Sequence, residues 1–171
     1  SYIKDENFAV LLPDDLILSA LPCLKQMIDF HTRSHKALIA AMDVPKADVS
    51  KYGIIDGKNE MGHIKAQALI EKPEANTAPS STAVIGRYIL PSRTMAILQK
   101  VTDSHNGKGE IQLTTALDEL ATEGELTGFR FEGQRFDCGS VQGWLAANIA
   151  YGLARDDIAE TIISALNQKA A

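Results

Sequence analysis

Apolar runs rich in β-branched residues recur along the chain and predict strands rather than helices. The runs occupy residues 8–12, 36–44, 52–56, 64–70, 83–90, 126–131 and 135–138. Apolar and polar residues alternate in run 64–70, as expected of a half-buried strand. Run 8–12 is apolar throughout, so we expect a strand that is buried on both faces.

Helical spacing of apolar residues appears between and after these runs. Residues 21–33 have such a stripe and stand between two strand runs, which predicts a parallel strand–helix–strand unit. A second helix is expected to open at Glu110 and to present a leucine face. The residues from Val141 onward predict closing helices with a break near Asp156.

Turn residues divide two further segments of the chain. Asp56-Gly57-Lys58-Asn59 predicts the turn of a hairpin, and Glu132-Gly133-Gln134 predicts a second hairpin between runs 126–131 and 135–138. Together with the strand and helix pattern, these turns indicate an α/β fold. We expect a single domain over residues 1–171.

The composition is that of an ordinary globular protein. The chain has 171 residues, enough for one domain with its own core, and 45% are hydrophobic and 23% charged. A net charge of −5 and a pI near 5.3 argue against a surface for nucleic acid or for an anionic membrane. No apolar run approaches the ~20 residues of a membrane-spanning helix.

Cysteine and histidine usage indicates neither disulfides nor zinc. Cys23 and Cys138 are the two cysteines and make no disulfide framework, so we expect reduced thiols in a cytoplasmic protein. The four histidines show no metal-site spacing with them, so we expect no zinc site.

Two carboxylates directly follow the first strand run, in Pro13-Asp14-Asp15. Adjacent carboxylates at the end of a buried strand repel each other, and a divalent cation relieves that repulsion. The pattern therefore indicates a metal ligand. Alternatively, Asp15 turns the chain or caps the following segment.

A glutamate and a lysine stand side by side in Glu71-Lys72-Pro73, at the end of another strand run. A carboxylate accepts hydrogen bonds from hydroxyls and lysine offers a point charge to phosphate, so the pair suits a sugar phosphate. The alternative is a solvated strand end that proline stops. Gly53, at the entry of a run, permits close approach of a ligand, and Gly86, inside a run, marks a bulge or a backbone contact.

Six short motifs follow one another along residues 12–139: Leu-Pro-Asp-Asp, Tyr-Gly-Ile-Ile-Asp, Glu-Lys-Pro, Gly-Arg-Tyr-Ile-Leu, Gly-Glu-Ile-Gln-Leu-Thr and Phe-Asp-Cys-Gly. In this order and at these separations, the chain resembles the bacterial UTP–glucose-1-phosphate uridylyltransferases, also called UDP-glucose pyrophosphorylases. The resemblance extends from Phe8 to about Asp157. It implies a Rossmann-like mixed sheet of the sugar nucleotidyltransferase type, and glucose 1-phosphate, UTP and UDP-glucose as ligands.

The resemblance also implies roles in catalysis and metal binding. It makes Asp14 the ligand of Mg²⁺ and Lys72 the residue that binds the phosphates. An aspartate at the position of Asp137 is a second metal ligand in related sugar nucleotidyltransferases, and we count Asp137 among the substrate-binding residues.

Sugar contacts are implied for four further residues. Gly53 and Gly86 are expected to lie against the sugar, while Glu71 and Glu110 accept hydrogen bonds from its hydroxyls. For Glu110 the alternative is that the helix dipole favours an acidic residue in a first turn.

One part of the family pattern is missing from the chain. The family begins with a Gly-x-Gly-Thr-Arg segment whose backbone amides wrap the triphosphate. The Gly107-Lys108-Gly109 cluster has neither the required arginine nor the strand–loop–helix context. We therefore expect the carboxyl-terminal portion of such an enzyme, as a fragment or a truncated paralogue, which lacks the N-terminal glycine-rich half and is inactive alone.

Two other functions remain open at this point. One is a non-catalytic homologue that binds a sugar phosphate or nucleotide sugar, and the other is a nucleotidyltransferase that uses another base. In each case we expect a homo-oligomer, because a sheet cut open at residues 8–12 exposes an edge and the closing helices carry apolar residues.

Overall fold

Eight strands and five α-helices occur in the residues that the computed structural model describes, which are residue 3 and residues 5–105, 107 and 110–169. The strands are β1 (Phe8–Leu11), β2 (Asp15–Leu18), β3 (Ala37–Asp43), β4 (Gly53–Glu60), β5 (His63–Glu71), β6 (Thr82–Leu90), β7 (Leu126–Arg130) and β8 (Gln134–Asp137). The helices are α1 (Cys23–Ser34), α2 (Thr94–Ser104), α3 (Leu113–Thr122), α4 (Val141–Leu153) and α5 (Asp156–Lys169), with a 3-10 helix at Lys46–Lys51.

Six of the strands form one mixed sheet in the order β1-β6-β3-β7-β5-β4. β3 and β7 run parallel, whereas β6 is antiparallel to both β1 and β3. β5 is antiparallel to β4 and to β7. The predicted mixed sheet of an α/β fold is therefore confirmed.

The chain divides into two compact units. The larger unit contains the residues up to Leu11 and Leu24–Phe131, and with them the six-stranded sheet, α2 and α3. The smaller unit contains Leu12–Cys23 and the residues from 132 onward, with β2, β8, α4 and α5. The single domain expected from the sequence stays a prediction.

β1 lies at an edge of the six-stranded sheet. Its residues alternate between half-buried and exposed, and Leu11 is 48% exposed. The prediction of a strand buried on both faces is wrong, because the outermost strand of this sheet is covered only in part. β1 and β3 are parallel to each other, as predicted, but β6 lies between them.

The β4–β5 hairpin turns at Met61 and Gly62, later than the predicted turn at residues 56–59. Met61 has φ 53° and Gly62 has φ 86°, the positive values that a two-residue hairpin turn requires. Gly57 instead lies where the pairing shifts, beside a bulge at Gln67 of β5. A Cβ on Gly57 would lie 2.3 Å from a backbone oxygen of β5, so the strands approach too closely for a side chain.

The predicted hairpin between residues 126–131 and 135–138 is also wrong. β7 enters the six-stranded sheet beside β3, and β8 pairs with β2, a strand that the apolar pattern did not predict. Gly128 explains part of this choice, because a Cβ there would lie 2.8 Å from the Ile55 side chain. β7 thus fits closely into the middle of the sheet, where its Leu126 and Phe129 are buried.

The core of the larger unit joins side chains of the sheet to those of α2 and α3. α3 buries Ala116, Leu117, Leu120 and Ala121, in agreement with the predicted leucine face. Both cysteines are free thiols, Cys23 buried and Cys138 half-buried. Among the helices of the described ranges, none combines the length and the apolar character needed to cross a bilayer.

His63, at the start of β5, is enclosed by two aromatic rings. Its imidazole stacks on Phe129 at a centroid distance of 4.6 Å and meets the edge of Phe30 at 4.5 Å. The Arg130 backbone N–H donates to His63 Nδ1 at 3.2 Å. Burial lowers the pKa of His63 below its ordinary 6.5, and the positive charge of Arg130 lowers this pKa further.

We expect the larger unit to lose stability as the pH falls from 7 to 5. A histidine with a lowered pKa binds fewer protons in the folded than in the unfolded chain, so folding weakens once the pH drops below about 6.5. Urea unfolding at both pH values should show a smaller loss for His63→Gln than for the unmodified chain. Equal losses would mean that His63 does not carry the effect.

Candidate functional site

Glu71 ends β5 and faces Gly53 of β4 in the paired register. A Cβ on Gly53 would lie 3.2 Å from Glu71 Oε2 and 3.7 Å from Thr114 Oγ1. A side chain on residue 53 would therefore crowd the Glu71 carboxylate, and glycine avoids this. The two residues that the sequence placed at a sugar site are thus brought together in the larger unit.

Thr114 is a site residue that the sequence analysis missed. It stands in the first turn of α3, and its hydroxyl donates to Glu71 Oε2 at 2.6 Å. One helical turn later, Asp118 Oδ1 accepts a hydrogen bond from the Leu69 backbone N–H at 2.8 Å. The signal was present in the sequence, since Thr114 closes the Gly-Glu-Ile-Gln-Leu-Thr motif and Asp118 follows at helical spacing.

Lys72 follows Glu71 in an unusual backbone conformation. Its φ is 44°, in the left-handed region that costs a residue with a side chain of order 1 kcal/mol or more. The Lys72 N–H donates to the Tyr52 carbonyl at 3.0 Å, and Pro73 comes next. Lys72 Nζ lies 3.8 Å from Glu71 Oε1, so the predicted carboxylate and cation are neighbours.

Gly86 lies at an irregularity of β6. The pairing with β3 passes from Ile85 to Tyr88, so Gly86 and Arg87 form a bulge, as the glycine predicted. The Arg87 side chain is buried and donates to the Gly86 carbonyl at 2.9 Å. Contact between Gly86 and a sugar stays a prediction.

Glu110 does not lie in a helix. α3 begins at Leu113, so the predicted start of this helix at Glu110 is wrong, and the helix dipole does not account for the residue. Glu110 is exposed, and its hydrogen bonds to sugar hydroxyls stay a prediction. Of the Gly107-Lys108-Gly109 cluster, residues 108 and 109 lie outside the described residues.

Asp14 and Asp137 are brought together in the smaller unit. The Cys138 N–H donates to the Asp14 carbonyl at 2.7 Å, which joins the segments that carry the two carboxylates. A Cβ on Gly139 would lie 3.1 Å from Asp137 Oδ1 and 3.6 Å from Asp14 Oδ2. Both carboxylates therefore lie beside the position that a Gly139 side chain would take, and carboxylate oxygens are the kind of donor that a divalent cation prefers. No cluster of three or more possible metal-binding side chains occurs within the described residues.

Asp15 is buried in an ion pair and is not a residue of a turn. It lies opposite Asp137 in the β2–β8 pairing, and Arg135 Nε donates to its Oδ1 at 2.5 Å. Arg135 Nη2 also lies 3.5 Å from Asp137 Oδ2. Arg135, which the sequence analysis missed, thus links the buried carboxylate to the exposed one.

Comparison with known proteins agrees with this arrangement. Residues 1–152 match the family model described as Nucleotidyl transferase. A UTP–glucose-1-phosphate uridylyltransferase of Staphylococcus epidermidis is 32% identical over 168 residues, which are 98% of this chain and 58% of the relative. The chain therefore spans little more than half of that relative's length.

Solved structures of similar proteins give the same result. A UDP-glucose pyrophosphorylase in complex with UDP-glucose is 40% identical with a TM-score of 0.81, over 90% of this chain and 59% of that protein. A UTP-bound UGPase from Acinetobacter baumannii is 35% identical with a TM-score of 0.81, over 96% of this chain and 57% of that protein. The resemblance stated from the motifs is confirmed.

We expect Arg135→Ala to destabilise the smaller unit by about 3–5 kcal/mol, because it leaves the buried Asp15 carboxylate without the guanidinium charge. The side chains of Arg135 and Asp15 are only 11% and 10% exposed. Urea unfolding followed by the fluorescence of Trp144, the single tryptophan, reports on this unit. Lys25→Ala, which removes an exposed ion pair with Asp29, is the control and should leave the midpoint unchanged. An unfolding midpoint for Arg135→Ala equal to that of the unmodified chain would contradict the expectation.

Proposed function

Because this chain belongs to the nucleotidyl transferase family, we propose that it acts in the UTP–glucose-1-phosphate uridylyltransferase reaction, as the part that binds the sugar phosphate and the metal ion. The observation that carries the proposal is the Glu71 carboxylate, which Thr114 holds beside the ammonium group of Lys72. Similarity to a pyrophosphorylase in complex with UDP-glucose supports the choice of ligand.

The proposed reaction transfers a uridylyl group without a covalent enzyme intermediate. A phosphate oxygen of glucose 1-phosphate attacks the α-phosphorus of UTP. A new P–O bond forms, the bond from the α-phosphorus to the oxygen that bridges to the β-phosphate breaks, and pyrophosphate leaves with the electron pair. Catalysis then consists of positioning the two phosphates and neutralising their charge.

In the larger unit, Glu71 and Lys72 are proposed to bind different parts of the sugar phosphate. Glu71 Oε1 accepts a hydrogen bond from a sugar hydroxyl, while Lys72 Nζ attracts the phosphate. Gly53 keeps the space beside the carboxylate open, since a Cβ there would crowd Oε2 at 3.2 Å. Gly86 and Glu110 are proposed as further sugar contacts on the strength of the motifs alone.

In the smaller unit, Asp14 and Asp137 are proposed to hold Mg²⁺, with Asp14 as the principal ligand. Carboxylate oxygens are the donors that this cation prefers, and when bound it neutralises phosphate charge. The closeness of both carboxylates to the Cβ position of Gly139 supports this assignment. Arg135 lies between the Asp15 and Asp137 carboxylates and holds the Asp137 side chain near Asp15.

A second candidate function is binding of the nucleotide sugar without turnover. The sequence contains no Gly-x-Gly-Thr-Arg segment for the triphosphate, and the chain covers 58% of its Staphylococcus epidermidis relative. On this proposal the isolated chain holds the sugar phosphate but leaves UTP unreacted.

We expect the isolated chain to bind glucose 1-phosphate in the presence of Mg²⁺ but to release no pyrophosphate when UTP is added. Isothermal titration measures the binding, and a coupled pyrophosphate assay measures the turnover. Turnover near the ~10 s⁻¹ typical of enzymes would show that the chain is catalytic by itself. Absence of binding to both glucose 1-phosphate and UDP-glucose would overturn the proposed function.

Two matched variants locate that binding. Glu71→Gln should weaken the binding of glucose 1-phosphate by about 1–3 kcal/mol, because a charged acceptor is replaced by a neutral amide. Glu74→Gln makes the same chemical change at an exposed position three residues away and should leave the affinity unchanged. Equal affinities for both variants would place the sugar elsewhere.

We further propose that the protein is a cytoplasmic homo-oligomer. α4 exposes a row of large apolar side chains, with Val141 76%, Trp144 55% and Leu145 51% exposed. Apolar surface of this kind favours association, and the edge of β1 offers a second route.

Light scattering at tens of micromolar should accordingly give a mass of at least two chains. Trp144→Glu should shift the mass toward one chain if α4 forms the contact, because a charge would be buried there. Lys25→Glu, an exposed change on α1, is the control. A monodisperse monomer for the unmodified chain would contradict the expectation.

A further inference from the structure

Along one edge of β5, the pairing strand β7 ends early and a helix lies beside the remaining residues. β5 pairs with β4 throughout, but β7 reaches it only at Ile64 and Lys65. Beyond these two residues, α3 approaches the edge of β5 that β7 leaves. A strand edge needs partners for its backbone groups, and here the Asp118 side chain of α3 supplies one, to the Leu69 N–H.

Two side chains on one face of α3 match two positions of β5. Thr114 binds the Glu71 carboxylate and Asp118 binds the Leu69 N–H. Four residues of helix rise about 6 Å, and two residues of strand rise about 6.6 Å. The two spacings agree, so the contact of Asp118 with Leu69 fixes the position along β5 at which Thr114 contacts Glu71.

This match makes the two oxygens of Glu71 different from each other. Oε2 accepts the Thr114 hydroxyl at 2.6 Å, whereas Oε1 is turned toward Lys72 Nζ at 3.8 Å. Glu71 is half-buried, and Gly53 leaves room for the bound pair. The hydroxyl thereby selects one orientation of the carboxylate and leaves Oε1 for a ligand.

We infer that Thr114 is a positioning residue for Glu71, and that its hydroxyl determines how well the site distinguishes sugars by their hydroxyl configuration. This inference rests on the proposed function, because it takes the ligand of Oε1 to be a sugar hydroxyl. Without the Thr114 hydroxyl the carboxylate samples other orientations. The site then binds glucose 1-phosphate less tightly, and its affinity for an epimer of this sugar becomes nearly equal.

The test measures binding of glucose 1-phosphate and galactose 1-phosphate to the full chain by isothermal titration. Thr114→Val removes the hydroxyl at nearly constant volume, Thr114→Ser keeps it, and Thr115→Val is the control at the next, exposed position. We expect Thr114→Val to weaken the binding of glucose 1-phosphate about tenfold, as loss of one hydrogen bond to a charged group predicts. The preference for glucose over galactose should fall toward one, while Thr114→Ser and Thr115→Val retain it.

The outcomes separate the inference from the proposed function. If the unmodified chain binds neither sugar phosphate, the proposed function fails, and this inference fails with it. If it binds, and Thr114→Val keeps the unmodified affinity and preference, the inference alone is overturned. A merely structural role would lower the unfolding midpoint without changing the preference, so midpoints are measured for every variant. Should Thr114→Val not fold, Thr114→Ala removes the same hydroxyl without an added methyl group and answers the question.

Discussion

The need to satisfy backbone hydrogen bonds along β5 is the constraint on which the larger unit depends. β7 is a strand of five residues and ends its pairing with β5 after Lys65. In the following stretch of β5, the Leu69 N–H takes its partner from Asp118 of α3. This hydrogen bond helps to dock the helix on the sheet, and the docked helix places the Thr114 hydroxyl beside Glu71.

In the smaller unit, a buried ion pair helps to hold together a sheet that has only two strands. A two-stranded sheet is marginally stable alone, and β2 and β8 come from distant parts of the sequence. The pair of Asp15 and Arg135 joins the two strands in a setting that is nearly closed to solvent. Because Asp14 precedes this pair and Asp137 faces it, the exposed carboxylates take their relative positions from a buried one.

The sequence predicted local elements well and long-range pairing poorly. The alternation in β5 and the apolar run of β6 were sufficient to place both strands, and Glu71, Lys72 and Gly53 were placed in one site. The hairpin turn was misplaced because Gly57 lies inside β4 beside a bulge of β5, and a turn signal does not distinguish that position from a turn. The partner of β8 and the hydroxyl of Thr114 were missed, since each depends on segments more than forty residues apart.

The position of β7 bears on how the chain is synthesised. In sequence it is the last strand of the six-stranded sheet, yet in space it stands between β3 and β5. While a ribosome is still adding residues 72–125, the inner edges of β3 and β5 have no strand to close them. Sheets whose central strand arrives late fold slowly and expose pairing groups meanwhile. A nascent chain of this protein thus has unpaired strand edges at β3 and β5 until Arg130 has been added.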